Sequence, residues 1–152
     1  MLSRYIIDDL DRKILNILQN NADLTYAEIA KMLNVSPSTI HLRIKRLKEH
    51  GYIRSIIAIV DRVKLGYNIM AFIFVKTDPK KHGEALEQLA KIKEIVELHD
   101  ITGEYSAIAK AFAIDNEHLA RILDVIGQID GVISTSTSLV MRSIKELPLI
   151  EL

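Results

Sequence analysis

The chain contains no cysteine, which removes disulfide cross-links, thiolate metal sites and any cysteine nucleophile. Its six glycines stand singly, at 51, 66, 83, 103, 127 and 131, so no tandem-glycine loop is present to cradle a phosphate. The five histidines, His41, His50, His82, His99 and His118, show neither HxxxH nor HxH spacing, and no serine sits in a nucleophile-elbow motif. Catalysis is therefore not expected, and neither is a metal or any other resident cofactor. The longest apolar run, Ile69 to Val75, has the length of a strand, and Met1 to Ile7 is too short for a secretory signal, so a cytoplasmic protein is expected.

Net charge is also lacking, with 20 Lys and Arg against 20 Asp and Glu. The balance conceals a split. Residues 1–60 carry nine basic and six acidic side chains, and the remainder carries eleven and fourteen, so the two parts stand at +3 and −3. Within the basic part the excess gathers in one stretch, where Arg43, Lys45, Arg46 and Lys48 face a single Glu49. What the chain does have is apolar content, 49% over 152 residues, enough for packed cores in one ordinary domain or two small ones.

Between Asp23 and Gly51 the sequence reads DLTYAEIAKMLNVSPSTIHLRIKRLKEHG. Thr25 and Glu28 have capping-box spacing, and Ile29, Ala30 and Leu33 supply an apolar stripe, so a helix starts at Thr25. Asn34 suits the left-handed position that ends a helix. Ser36 is a good N-cap, Pro37 sits where a missing amide costs nothing, and Gly51 follows the last turn, which predicts a further helix from Pro37 to His50. A preceding helix over Asp8 to Asn20, with Leu10, Ile14, Ile17 and Leu18, supplies a third wall.

At about 100° per residue, Ile40, Ile44 and Leu47 fall on one side of the last of these helices as core. Ser38, Leu42 and Lys45 point away from it, flanked by Thr39 and Arg46 on one side and His41 and Lys48 on the other. Arg43 lies near the core boundary, where a phosphate or a neighbouring carboxylate is in reach. Two helices joined by a fixed turn, the second basic, fit insertion into the DNA major groove, and an outward Leu42 suits a thymine methyl. The candidate DNA-binding residues are Ser36, Ser38, Thr39, His41, Leu42, Arg43, Lys45, Arg46 and Lys48. So few phosphate contacts per chain imply weak binding by one copy and call for two or more. A competing reading keeps a metabolite-sensing oligomer whose helical domain contacts protein rather than DNA.

After Gly51 the pattern changes. Tyr52 to Val60 has the composition of a strand leaving the helices, and Asp61 to Gly66 that of a connector. Two strand–helix–strand units follow: Tyr67 to Lys76, Lys81 to Ile92 and Ile95 to Thr102, then Tyr105 to Ala113, a helix from Asn116, and Val132 to Arg142. This predicts a ferredoxin-like βαββαβ domain. The expected division is 1–51, 52–66 and 67–152. Neither MAFIFV at 70–75 nor IAKAFAI at 108–114 alternates cleanly, so both sheet faces are expected to be buried, the second against another copy.

The opening IDDLDRKILNILQNNA, the stretch VSPSTIHLRIKRLKEHGYI, the TGEYS segment and the closing STSTSLVM resemble, in order and over nearly the whole chain, the Lrp/AsnC or feast/famine family of transcriptional regulators. The resemblance implies an α+β protein: an N-terminal three-helix, winged-type helix-turn-helix joined by a β-strand linker to a C-terminal ferredoxin-like domain. It further implies double-stranded DNA as a partner, assembly into a homodimer and a higher assembly of dimers such as an octamer, and an amino acid as possible effector. Carried over position by position, the family's effector loop falls on Thr102, Gly103, Glu104, Tyr105 and Ser106. A glycine turn there lets backbone amides hold a carboxylate. Many relatives carry aspartate where this chain has Ser106. Ser134, Thr135, Ser136 and Thr137 are candidates to complete the site from a neighbouring subunit.

Overall fold

Each of the three N-terminal helices starts where a short polar side chain takes an amide that the helix leaves unpaired. In the computed structural model, which describes residues 5–147 and 149–152, helix α1 is Asp9–Asn20, α2 is Tyr26–Leu33 and α3 is Pro37–Glu49. The Asp11 amide donates to Asp8 Oδ1 at 2.9 Å and the Asp8 amide to Asp11 Oδ2 at 3.1 Å, a reciprocal cap on α1. Thr25 and Glu28 cap α2 in the same way, at 3.2 and 2.7 Å. Ser36 accepts the Thr39 amide at 3.1 Å to start α3, next to Pro37. Between α2 and α3 the chain turns through Asn34 at φ +53°, the left-handed position expected of it. Loss of any one cap costs about 0.5–2 kcal/mol.

The stripes of the three helices meet in one core of Ile14, Leu15, Ile29, Ala30, Ile40, Ile44 and Leu47, with Leu10, Ile17, Leu18, Leu33 and Val35 packed around it. Truncating a wholly buried Ile or Leu here costs about 2–5 kcal/mol, because the cavity left behind closes only in part. The chain divides into two compact units, Met1–Ile59 with Lys145–Leu152, and Val60–Ile144. The first unit therefore includes the C-terminal residues, which the sequence assigns to the second domain. Gln19 on α1 accepts the Ile150 amide at 2.9 Å and donates to the Ile150 carbonyl at 3.0 Å, while Asn16 donates to the Leu152 carbonyl at 3.0 Å.

The segment expected as a linker strand forms no ladder: residues 54–60 have no regular structure, and Ile57 and Ile59 are 75% and 72% exposed. A strand needs a partner for its amides and carbonyls, and the single chain offers none there.

The second unit holds β1 (Ile69–Thr77), α4 (His82–Leu89), β2 (Ile95–Asp100), β3 (Ala107–Ala113), α5 (Asn116–Gly127) and β4 (Val132–Leu139). The strands form one antiparallel sheet in the order β2-β3-β1-β4, the ferredoxin-like arrangement expected. Alternation along each strand sends Ala71, Ile73 and Val75 of β1 and Ala107, Ala109, Ala111 and Ala113 of β3 beneath the helices. There they pack with Ala85, Leu89, Leu119, Ile122, Ile126 and Ile129. The other face shows Phe72, Phe74, Ile108 and Phe112, each half-buried, with the Arg62 guanidinium 5.4 Å from the Phe112 ring centre. Gly131, at φ +93°, enters β4 so close to α4 that a Cβ there would lie 2.7 Å from that of Lys81.

Candidate DNA interface and effector loop

With Ile40, Ile44 and Leu47 buried, α3 leaves Ser38, His41, Leu42, Lys45, Arg46 and Lys48 in solvent and Thr39 half-exposed. Leu42, a large apolar side chain, is 46% exposed at the centre of that face. Lys45 makes only a 3.8 Å contact with Glu49 across one turn. At the start of the helix the Ser36 hydroxyl lies 2.8 Å from both the Ser38 and the Thr39 hydroxyls, so a small hydroxyl cluster sits on the first turn.

Arg43 has a different surrounding. Its Nη1 donates to Asp8 Oδ2 and lies 3.3 Å from both oxygens of Asp11, whose side chain is wholly buried. Tyr5 donates its hydroxyl to Asp11 Oδ2 at 2.7 Å. Arg43 thus pairs with neighbouring carboxylates, one of the two contacts within its reach in sequence, and these bonds brace α3 against the start of α1. Its pKa is raised above the ordinary arginine value by the hydrogen bond to Asp8. The Asp8 carboxyl is held below its ordinary value, first by the Asp11 amide and then by the guanidinium.

Tyr26, which the sequence reading passes over, packs edge-on against His41, ring centres 5.4 Å apart at 73°. The signal available for it was an exposed aromatic directly after the Thr25 cap, on the first turn of α2.

In the second unit the loop after β2 is closed by the Ile101 amide donating to the Ser106 carbonyl at 3.0 Å. Thr102, Gly103 and Glu104 are exposed at its tip, and Gly103 takes φ +126°, a conformation that favours glycine. Tyr105 turns back onto the open sheet face, its ring centre 5.6 Å from that of Phe74. Ser106 points inward: its Oγ accepts the Thr77 amide at 2.9 Å and lies 2.8 Å from Thr77 Oγ1.

The register of β4 sorts its hydroxyls. Ser134 lies opposite Lys76 and Ser136 opposite Phe74, so these two share the face that carries Tyr105. Thr135 and Thr137 lie opposite Val75 and Ile73, on the helix side. Ser138, opposite Phe72, joins the open face and was not singled out in sequence.

Among the described residues there is no group of three or more His, Asp or Glu placed to hold a metal ion, and no helix is long and apolar enough to cross a membrane.

These two surfaces coincide with two family models: a winged helix-turn-helix DNA-binding domain matches residues 7–54, and an Lrp/AsnC ligand binding domain matches residues 70–150. The chain belongs to the Lrp/AsnC family. It is similar to the HTH-type transcriptional regulator FL11 of Pyrococcus furiosus, at 43% identity over 94% of this chain and 95% of the relative. The FL11 regulator of Pyrococcus horikoshii is 42% identical with the same coverage. Among solved structures, AsnC of E. coli superposes with a TM-score of 0.89 at 35% identity, over 97% of this chain and 99% of the other. The transcriptional regulator NMB0573 of Neisseria meningitidis, solved as a complex with L-Met, gives a TM-score of 0.90 at 27% identity, over 94% and 95%. This Lrp/AsnC protein is thus a DNA-binding transcriptional regulator with a ligand-binding domain, and not an enzyme.

Proposed function

We propose that this regulator acts as a homo-oligomer in which paired α3 helices read two half-sites on one face of double-stranded DNA, and an amino acid bound at a subunit interface biases the assembly. The carrying observation is the division of α3 into a wholly buried side, Ile40 and Leu47, and a solvent side that joins hydroxyls, an exposed Leu42 and three cations. Ser38, Thr39, His41 and Leu42 approach base edges, and Lys45, Arg46 and Lys48 approach phosphates. Ser36 contributes through the cap and its hydroxyl cluster, and Arg43 through bracing. Tyr26 sets the rotamer of His41.

Pairing of copies is supported by the half-buried aromatics on the open sheet face, Phe72, Phe74 and Phe112, which a second sheet would cover. The amino acid binds at Thr102, Gly103, Glu104 and Tyr105, with Ser134 and Ser136 of another copy as hydroxyl partners. Support for this comes from the ligand-binding family model and from the L-Met complex of the Neisseria relative. In this reading Thr135 and Thr137, which lie opposite Val75 and Ile73, and Ser106, whose hydroxyl accepts the Thr77 amide, support the strand and the loop rather than touch the ligand. A ligand shifts assembly only by preferring one state over another.

Retention on DNA across a salt series, with Lys45→Ala and Arg46→Ala beside wild type, tests the first half: unchanged retention defeats it. A thermal-shift screen of the twenty amino acids, followed by sedimentation with any that stabilises, tests the second. Indifference to all twenty at millimolar concentration defeats the effector.

A further inference from the structure

Four residues from two separate stretches of the chain meet beneath the effector loop: Thr77 at the end of β1 and His82 at the start of α4, with Asp100 at the end of β2 and Ser106 before β3. Thr77 is 6% exposed and His82 26%. His82 Nδ1 lies 2.8 Å from Thr77 Oγ1, which lies 2.8 Å from Ser106 Oγ, and His82 Nε2 lies 3.2 Å from Asp100 Oδ2. One arrangement of protons serves the contacts of the imidazole: Nε2–H donates to Asp100, the Thr77 hydroxyl donates to Nδ1, the Thr77 amide donates to Ser106 Oγ, and the one Ser106 hydroxyl proton lies between Thr77 Oγ1 at 2.8 Å and the Val75 carbonyl at 3.3 Å. Asp100 and Ser106 are the two stems of the loop, whose closure is the single bond from the Ile101 amide to the Ser106 carbonyl. One imidazole thus holds both stems against the first turn of a helix anchored in the core by Ala85 and Leu89.

We propose that His82 is a positioning residue for the effector loop, fixing the stems of Thr102–Tyr105 from both ring nitrogens so that the exposed Gly103 turn is pre-formed for its ligand. It rests on the amino-acid reading above for the identity of the ligand, but not for the ordering of the loop. Fixing the stems in the free protein removes part of the ordering cost of binding. Ser106 belongs to the same device: where an aspartate would place a charge, the serine hydroxyl is a relay between Thr77 and the β1 backbone, accepting from the Thr77 amide and lying 3.3 Å from the Val75 carbonyl.

Hydrogen exchange on the full-length protein tests this without a ligand. His82→Ala speeds exchange in peptides covering 98–106 by about tenfold, the scale of one or two lost hydrogen bonds, while peptides from the centre of β1 are unchanged. Asparagine reproduces the Nδ1 position and glutamine the Nε2 position, so the two variants separate the ends. Asp100→Ala speeds loop exchange in the wild-type and His82→Gln backgrounds and adds nothing in His82→Asn, a coupling that a merely space-filling histidine does not produce. Loop exchange unchanged in His82→Ala, or an undiminished effect of Asp100→Ala in His82→Asn, overturns the proposal. If the alanine variant fails to fold, the Asn and Gln variants decide alone. The twenty-amino-acid screen is run on the same proteins: any amino acid that stabilises the wild type binds roughly five- to tenfold more weakly to His82→Ala, and equal binding overturns the role in ligand capture. If none stabilises the wild type, the amino-acid reading fails while the exchange result still judges the loop clamp.

Discussion

Arg43 Nη1 lies 3.3 Å from the carboxylate of Asp11, a side chain with no solvent exposure at all. A carboxylate taken out of water needs hydrogen bonds on both oxygens, and Asp11 has them from the Tyr5 hydroxyl, the Asp8 amide and the guanidinium. Arg43→Ala removes the charged partner and leaves the carboxylate buried. We expect a loss of about 2–3 kcal/mol in urea unfolding, below the full cost of a broken buried pair because Oδ2 keeps the Tyr5 and Asp8 donors while Oδ1 loses the guanidinium. DNA affinity falls only as folding does, with no change in salt slope; a slope reduced by about one unit would return Arg43 to the phosphate set.

Lys45, Arg46 and Lys48 behave oppositely. Each alanine variant lowers the slope of log affinity against log salt by roughly one phosphate contact per chain and leaves the melting temperature nearly unchanged, since exposed single charges contribute little to stability. Leu42→Ala leaves the slope alone and loses about 1 kcal/mol or more only on sites with thymine at the contacted step, which a competition titration against uracil-substituted DNA measures.

The helix starts were legible in sequence because a cap is a local object: Thr25 with Glu28, and Ser36 with Pro37, lie within one turn of each other and no distant residue is needed to complete them. Parity along a strand is local as well, but which face is which depends on register, so the four hydroxyls Ser134 to Thr137 looked equivalent until Ser136 was set against Phe74 and Thr137 against Ile73. Residues 54–60 have strand composition but pair with no strand of their own chain, and composition does not say whether a partner strand exists. Least legible were the pairing of Gln19 with Ile150 and the joining of Thr77, His82, Asp100 and Ser106, each made by isolated polar side chains that have no periodicity.

Acid sensitivity follows from three carboxylates held below their ordinary values: Asp8 by the Asp11 amide and Arg43, Glu28 by the Thr25 hydroxyl and amide, and Asp130 by Lys81. A depressed folded pKa stabilises above the unfolded value and that stability is lost as pH falls through the folded one, so the urea midpoint is flat near neutrality and declines below about pH 4.5. Asp8→Asn, Glu28→Gln and Asp130→Asn each shallow the decline. High salt weakens the Asp130 contribution, an exposed ion pair with Lys81, and spares that of Glu28, which is made by uncharged donors.

Gly131 and Gly103 both have positive φ but differ in what surrounds them. At Gly131 a Cβ meets Lys81 Cβ at 2.7 Å and the Lys81 carbonyl at 3.3 Å, so Gly131→Ala adds a clash to the backbone strain and costs about 2–4 kcal/mol. At Gly103 nothing lies within 4 Å, so Gly103→Ala costs only about 1–3 kcal/mol of local strain, confined to the loop. Thermal unfolding separates them: the melting temperature falls clearly for Gly131→Ala and less for Gly103→Ala, whose main effect is on amino-acid binding.

The open sheet face sets the last expectation. Phe74 sits at its centre, half-buried under Tyr105 and beside Ser136, and its neighbours Phe72 and Phe112 are half-buried too. A single chain folds with these rings partly in water, so Phe74→Glu costs the isolated fold little, whereas a charge pressed into a sheet-to-sheet contact is desolvated and unpaired. Sedimentation of Phe74→Glu is expected to show a smaller species than wild type with unchanged helix content. DNA affinity at fixed salt falls about a hundredfold or more, because each recognition helix then binds its half-site without the effective concentration supplied by its partner. Equal sedimentation of the two proteins would place the assembly surface elsewhere, and equal DNA affinity after dissociation would mean that one copy of α3 suffices.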